Sequence, residues 1–322
     1  MKKPYDFVLI FMVLILSGCS TADATQTQTQ PPEVETAPTD PPVVQPTPTS
    51  TPTLQLTDVP YTPAEIAFQK LDVYLPENGE GPFPTILAIH GGGFRMGTKS
   101  IYYHIAHNLN ETGYAVVSTN YRLTPKFSYP AQVEDVFCAL AWIYENQESY
   151  PFDPEKIFVM GDSVGGYLAA MIATVDDPVS FLNDCPYSLP AQNWVRGAVI
   201  YYGVFDLVDV SDHNQRDVLG YVESFLGAKH AEMSAETLAD MSPFHLVDGN
   251  EPPFLLIHGI KDLMVPSSLS EEFAAVLEEA GVEAELLMLD ESHGFIMQQV
   301  TSPGNTQSLE AIKNFLSNQI QN

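Results

Sequence analysis

An apolar run from Lys156 to Met160 passes directly into Gly161-Asp162-Ser163-Val164-Gly165-Gly166, and a helical stretch begins at Tyr167. Strand, Gly-x-Ser-x-Gly, helix is the order of a nucleophile elbow, a sharp turn that lifts a serine hydroxyl to the carboxyl edge of a sheet. The backbone at such a turn is strained, and the flanking glycines supply the small size it demands. A chain carrying this feature needs a buried strand before Ser163 and a packed helix after it. That restricts it to alternating strand-helix architectures. The bland reading, a serine in an ordinary turn, leaves the matched strand and helix unexplained.

Two further motifs stand where such a serine needs them. Pro84 to His90 reads as a second buried strand and runs into Gly91-Gly92-Gly93-Phe94. Three glycines after a strand leave N–H groups open to an anion. Donors aimed at a developing oxyanion often supply the largest catalytic contribution, and losing one costs about 3–4 kcal/mol in the barrier. The N–H groups of Gly92 and Gly93, with that of Val164 from the elbow, are assigned to this hole. A phosphate loop is disfavoured, because no Gly-Lys-Ser/Thr follows.

Downstream, the strand Phe254 to His258 is followed by Asp262, and the strand Glu285 to Leu289 by Ser292-His293-Gly294-Phe295. Both side chains lie on loops past strand ends, the edge that a parallel sheet shares with Ser163. The chain order is Ser, Asp, His. His293 would take the Ser163 proton and return it to a leaving group, and Asp262 would hold the imidazole tautomer. Asp206 and Asp290 compete with Asp262 for the acid role. His90 and His258 also end strands; His90 is expected to shape the glycine loop, and His258 lies too close to Asp262 in sequence to serve as the base.

Taken together, the chain resembles the alpha/beta-hydrolase superfamily, in the branch of hormone-sensitive-lipase-like carboxylesterases and acetyl-xylan and feruloyl esterases. The resemblance is carried by His90-Gly91-Gly92-Gly93-Phe94, Asn120-Tyr121-Arg122-Leu123, Pro130 to Asp135, Phe152-Asp153-Pro154, Gly161 to Gly166, Ser242-Pro243 and Ser292 to Phe295. Val164 departs from the pattern, since many members carry alanine there, and narrows the space beside the hole. The resemblance implies an acyl-enzyme mechanism without cofactor, acting on short acyl esters of acetyl or feruloyl type, including those on polysaccharide. Two other classes share parts of the pattern. Prolyl-oligopeptidase-type peptidases have the same elbow, and a non-catalytic surface-binding lipoprotein could use the same scaffold.

The implied fold class is α/β, a mostly parallel sheet with helices on both faces. Strands are expected near Ala67–Leu75, Thr85–His90, Ala115–Asn120, Ile157–Met160, Ala198–Tyr202, Phe254–His258 and Glu285–Leu289. Helices are expected near Tyr102–Glu111, Gln132–Asn146, Tyr167–Ala173, Ser268–Glu279 and Thr306–Ser317. The stretch Asp206 to Val247 is a small cap or lid insertion, with Phe205, Tyr221 and Phe225 as either pocket walls or ordinary core aromatics.

The ends and the charge bound the rest. Lys2-Lys3, the apolar run Phe7 to Leu16 and Leu16-Ser17-Gly18-Cys19 resemble a bacterial lipobox, so residues 1–19 are expected to be a lipoprotein signal peptide with Cys19 lipidated. The Thr-, Pro- and Gln-rich stretch 20–58 is expected to be a disordered tether. Residues 59–322 form the catalytic domain, held outside the cell or in the envelope by the lipid alone, since no later apolar run is long enough to span a bilayer. A net charge of −28 with only 13 Lys and Arg argues against nucleic-acid partners. Cys138 and Cys185 could form a disulfide in an oxidising compartment or remain two buried thiols. No zinc-binding spacing is present.

Overall fold

The computed structural model describes residues 54–63, 66–191, 194–210 and 216–321. The leader, Cys19 and the tether up to residue 53 lie outside the described residues. Eight strands form one sheet: β1 (Leu54–Pro60), β2 (Lys70–Leu75), β3 (Phe83–Ile89), β4 (Ala115–Thr119), β5 (Phe152–Asp162), β6 (Ala198–Tyr201), β7 (Phe254–Gly259) and β8 (Ala284–Leu289). Their order is β1-β2-β4-β3-β5-β6-β7-β8. The β1–β2 and β2–β4 pairs are antiparallel, and all others are parallel. The expected α/β class, the alpha/beta-hydrolase fold, is the one observed.

The parallel strands read as near-continuous apolar runs because both faces are covered. Along β5, Ile157 and Val159 join one core while Phe158 and Met160 join the other. The same alternation holds in β3, where Leu87 and Ile89 oppose Ile86 and Ala88. Helices α1 (Tyr103–Asn110) and α8 (Pro303–Gln321) cover one face through Ile105, Leu109, Ile312 and Phe315. Helices α2 (Ala131–Glu145), α3 (Val164–Thr174) and α7 (Ser268–Glu279) cover the other through Phe137, Leu168 and Phe273. Fully burying one such side chain contributes about 1.5–3 kcal/mol.

Two boundaries differ from the sequence reading. Strand β1 begins at Leu54, so the sheet includes residues 54–58 that composition assigned to the tether. Its ladder with β2 is a backbone interaction, and side chains 56–58 are exposed. Strand β5 begins at Phe152, well before Ile157. The lid stretch carries α4 (Arg216–Leu226) and two short helices, α5 (Ala235–Ala239) and α6 (Pro243–Leu246).

The Asn-Tyr-Arg-Leu motif is structural. The Arg122 guanidinium binds Asp135 at 2.9 Å and Glu134 at 2.8 Å, tying the chain after β4 to the first turn of α2. Cys138, in α2, and Cys185 are joined by a disulfide with Cα atoms 5.5 Å apart and a sequence separation of 47. A loop of that length limits the unfolded chain by up to about 4 kcal/mol. Cys138→Ser with Cys185→Ser is therefore expected to lower unfolding free energy by about 2–4 kcal/mol, read as a shift in the urea midpoint, and reductant should have the same effect on the wild type.

Candidate active site

Ser163 occupies φ 54° and ψ −122°, a conformation that L-residues rarely adopt. Such strain, about 1–3 kcal/mol, persists only where surroundings enforce it. Here the Ser163 N–H donates to the Tyr201 carbonyl at 2.9 Å, and α3 starts immediately behind it. The glycines make room for that approach. A Cβ at Gly161 would collide with the Gly165 carbonyl, and one at Gly165 with the Ile89 carbonyl.

The three triad residues meet. His293 Nε2 lies 3.1 Å from Ser163 Oγ, and His293 Nδ1 lies 2.6 Å from Asp262 Oδ2. Asp262 Oδ1 accepts the N–H groups of Met264 at 2.9 Å and Val265 at 2.8 Å. Burial by itself would raise the Asp262 carboxyl. Hydrogen bonds from His258 and His293, the His293 charge and the Val265 N–H outweigh it and hold the group well below the usual carboxylate range. Asp262 thus stays an anion that orients Nδ1–H and leaves Nε2 free to take the serine proton.

The competing residues are engaged elsewhere. Asp290 pairs with Lys261 at 2.7 Å, and Asp206 with His245 at 3.2 Å. His258 is fully buried, with Nε2 donating to the Val265 carbonyl at 2.9 Å and Nδ1 accepting from Ser270 Oγ at 2.7 Å. It braces the Asp262 loop. His90 does shape the glycine loop: Nδ1 donates to the Gly91 carbonyl at 2.7 Å, and the ring stacks on Tyr121 at 4.4 Å.

The glycine loop after β3 is built from positive-φ residues, with Gly92 at 111°, Gly93 at 62° and Phe94 at 58°. The Gly92 carbonyl accepts N–H groups from Arg95 and Met96. The N–H groups of Gly92, Gly93 and Val164 have no hydrogen-bond partner among the described residues. A Cβ on Gly92 would collide with the Met96 carbonyl, so the turn cannot hold a side chain there. Gly92→Ala is expected to displace the loop and lower kcat on 4-nitrophenyl acetate 10²- to 10³-fold, roughly the value of one lost oxyanion donor. Steady-state kinetics would show this in kcat with KM little changed.

Asp162 is the residue whose role sequence reasoning missed. Its Oδ1 accepts the Gly91 N–H at 2.9 Å and the Tyr102 hydroxyl at 3.0 Å, so one buried carboxylate ties the elbow to the glycine loop. Burial pushes this carboxyl up to about 6, against the pull of Tyr102, the Gly91 N–H and the His293 charge. An acid raised in the fold contributes stability that is complete below its ordinary value near 3.8 and lost as pH rises through about 6. Burial drives the His90 imidazole down to about 4, with the Gly91 hydrogen bond opposing. That group has the opposite sign: its contribution is present above 6.5 and lost as pH falls toward 4. The two offset each other in the wild type. Asp162→Asn keeps a carbonyl oxygen for both donors and removes the charge. It is expected to exceed wild-type stability at pH 8 by up to about 3 kcal/mol, with the advantage gone by pH 4, as read from thermal melts across that range.

A cavity of about 340 Å³ opens over Ser163 and His293, within the range of small-ligand sites. Its walls include Val164, Leu207, Val218, Tyr221 and Val222, so α4 of the lid supplies one side. Tyr221 is a wall residue. It packs on Gly93, where an added Cβ would sit 2.6 Å from its ring, and the Arg95 guanidinium lies 5.3 Å from the ring centroid. Phe205 and Phe225 are core aromatics instead. Phe205 stacks on Phe273, and Phe225 on Phe94, both at 4.1 Å.

The BD-FAE family profile matches residues 71–277, which include Ser163, Asp262 and the glycine loop. The chain belongs to the BD-FAE family. Among curated relatives, Esterase LipQ of Mycobacterium tuberculosis is 32% identical over 229 residues, covering 70% of this chain and 53% of its own. LipM of the same organism, a probable carboxylic ester hydrolase, is 30% identical over 200 residues, covering 62% and 46%. The chain thus spans about half the length of the curated relatives it matches. Among solved structures, a truncated carbohydrate esterase from gut microbiota superposes with a TM-score of 0.68 at 24% identity, over 84% of this chain and 97% of that one. Esterase B from Lactobacillus rhamnosis gives 0.71 at 22% identity, over 84% and 88%. These two support the fold. His293 lies beyond the matched segment, and its place at the site rests on the hydrogen bonds to Ser163 and Asp262.

Proposed function

We propose that this BD-FAE protein is a serine carboxylesterase that hydrolyses short-chain acyl esters, of acetyl or feruloyl type, on polysaccharide. The observation that carries the reading is the continuous line Asp262–His293–Ser163 at a cavity that Gly92, Gly93 and Val164 also line, their N–H groups without a partner among the described residues. Ser163 Oγ attacks the ester carbonyl while its proton passes to His293 Nε2. The carbonyl oxygen gains its charge facing Gly92, Gly93 and Val164. His293 then protonates the leaving alcohol, and a water activated by the same imidazole releases the acid. Esterase names among the curated relatives support the reaction class, and the carbohydrate-esterase neighbour is consistent with a sugar-bound ester.

The residues beside the oxyanion site support short acyl groups. Val164 is β-branched beside the hole, and Tyr221 closes over Gly93. Rates on 4-nitrophenyl acetate, butyrate and octanoate test this directly. Hydrolysis that falls with chain length is the expected result. A preference for octanoate would reject the short-acyl reading, and cleavage of peptides without esters would reject the esterase.

The same reading places the enzyme outside the cytoplasm, lipidated at Cys19 and carried on the Pro-rich stretch. The Lys2-Lys3 start, the apolar run and Leu16-Ser17-Gly18-Cys19 support this. So does the Cys138–Cys185 disulfide, a bond typical of oxidising compartments. Metabolic labelling with a fatty-acid probe, abolished by Cys19→Ala, is the test.

A further inference from the structure

Tyr202 has no part in the triad or the glycine loop, yet its backbone is strained at the catalytic edge. It follows β6 directly, with φ 36°. A bulky L-residue rarely adopts a left-handed conformation, and glycine would hold it without steric cost. Strain of this kind persists only where the surroundings enforce it, and it clusters at active sites.

What the turn achieves is visible in the packing. Side chains alternate between the two faces along a strand. In β6, Ala198 and Ile200 join the core under α2, α3 and α7, whereas Val199 and Tyr201 join the core under α1 and α8. Strict alternation would return the next residue to the first core. Tyr202 instead joins the second, beside Tyr201 and Phe295. There its ring is buried at the wall of the cavity over Ser163. It reaches both histidines that contact Asp262. Its centroid lies 4.7 Å from that of His293, inclined by 57°, and 6.3 Å from that of His258. The Tyr202 N–H donates to the Ile257 carbonyl at 2.8 Å, which ties the base of the ring to β7. Burial holds the hydroxyl well above the ordinary phenol range, so it stays neutral and offers the imidazole no charge.

The hydrogen bonds of the triad leave one freedom open. Contacts at Nδ1 and Nε2 fix the imidazole along the line from Asp262 to Ser163, but not its tilt about that line. An aromatic wall against one ring face sets the tilt and keeps water from the Nδ1–H bond. We infer that Tyr202 is a positioning residue, whose ring, turned across the sheet by the strained backbone, holds the His293 imidazole in its working orientation. In the esterase reading, on which this rests, His293 is the general base, and Tyr202 supplies its third constraint.

Variants of the full chain test this by two readouts, turnover of 4-nitrophenyl acetate and solvent exchange of the downfield His293 Nδ1 proton in NMR spectra. Tyr202→Phe keeps the ring and is expected to stay within about 3-fold of wild type in both. Tyr202→Gly relieves the strain and removes the ring. Its kcat is expected to fall about 10²-fold, the scale set by a misplacement of about 1 Å, with KM little changed. Its Nδ1 proton is expected to exchange roughly 10-fold faster. A ring that only filled the core would alter thermal melts and leave the kcat of the folded protein and the exchange rate as they were. That result, or a loss in Tyr202→Phe equal to the loss in Tyr202→Gly, overturns the inference. Tyr202→Leu keeps apolar volume at the position and carries the same two expectations should the glycine variant fail to fold. Absence of Ser163-dependent ester hydrolysis in the wild type rejects the esterase reading instead, and the exchange rates still decide for or against Tyr202.

Discussion

Ser163→Ala is expected to lower kcat on 4-nitrophenyl acetate by about 10⁶-fold while the protein folds as before. The size follows from the unit that is lost. Without Oγ, His293 Nε2 has no proton to accept and Asp262 orients a base with no partner, so the whole triad fails together. What remains is the oxyanion loop, whose donors come from backbone at Gly92, Gly93 and Val164 and are untouched by the change. A residual rate above that of water is therefore expected. Folding should be preserved or slightly improved, since alanine requires no more space than serine in a turn the glycines already permit. Matched thermal melts and single-turnover kinetics check both halves of the expectation.

Asp262→Asn is expected to lower kcat by about 10⁴-fold. The local hydrogen bonds say why so small a change should matter. Oδ1 is held by two N–H donors, from Met264 and Val265. An asparagine must keep its carbonyl oxygen there, because its NH2 group cannot face two donors. The NH2 then faces His293 Nδ1, 2.6 Å away in the wild type, and that nitrogen must become an acceptor. The imidazole proton moves to Nε2, the atom that has to receive the serine proton. The same NH2 also approaches the Nε2–H of His258, where the carboxylate oxygen now lies at 3.4 Å. The variant should bind substrate nearly as well as wild type, so the loss belongs in kcat. An equal loss in KM would point to a displaced loop instead of a wrong tautomer.

Most of the sheet was legible in the sequence because two-sided burial writes an unbroken apolar run. Leu87, Ala88 and Ile89, or Leu255, Leu256 and Ile257, need no periodicity to be recognised. Strand β1 left no such mark. It lies at the sheet edge, binds β2 through its backbone, and its residues 56–58 are exposed. Composition therefore ran on from the Pro-rich stretch without a break. Helix α4 did leave a signal. Val218, Tyr221, Val222 and Phe225 recur at helical spacing, and reading them would have separated the lid helix from its loops. That spacing could not say which member faces substrate. Tyr221 and Phe225 lie one turn apart, yet one meets the cavity and the other stacks on Phe94.

The triad was legible for a different reason. Each of its members follows a strand, and strand ends converge at one edge whatever the loops do. Asp162 was visible in the motif but silent in its role, because its partner Gly91 is 71 residues away in sequence. Asp206 and Asp290 also follow strands, so the strand pattern left them as competitors; among the three, the 2.6 Å contact with His293 Nδ1 decides for Asp262. Seeing His258 as its brace required the packed structure, since nothing in sequence sets the 2.9 Å contact with the Val265 carbonyl.

The central claim is a covalent acyl-enzyme on Ser163. Acid-quenching the wild type during turnover of 4-nitrophenyl acetate, digesting it and mapping the acetyl group by mass spectrometry tests that claim most directly. The account predicts acetyl on the peptide that contains Ser163, in step with burst release of nitrophenol, and none in Ser163→Ala. Rapid turnover with Ser163 never acylated, or acetyl carried by another residue at kinetically competent levels, would contradict it.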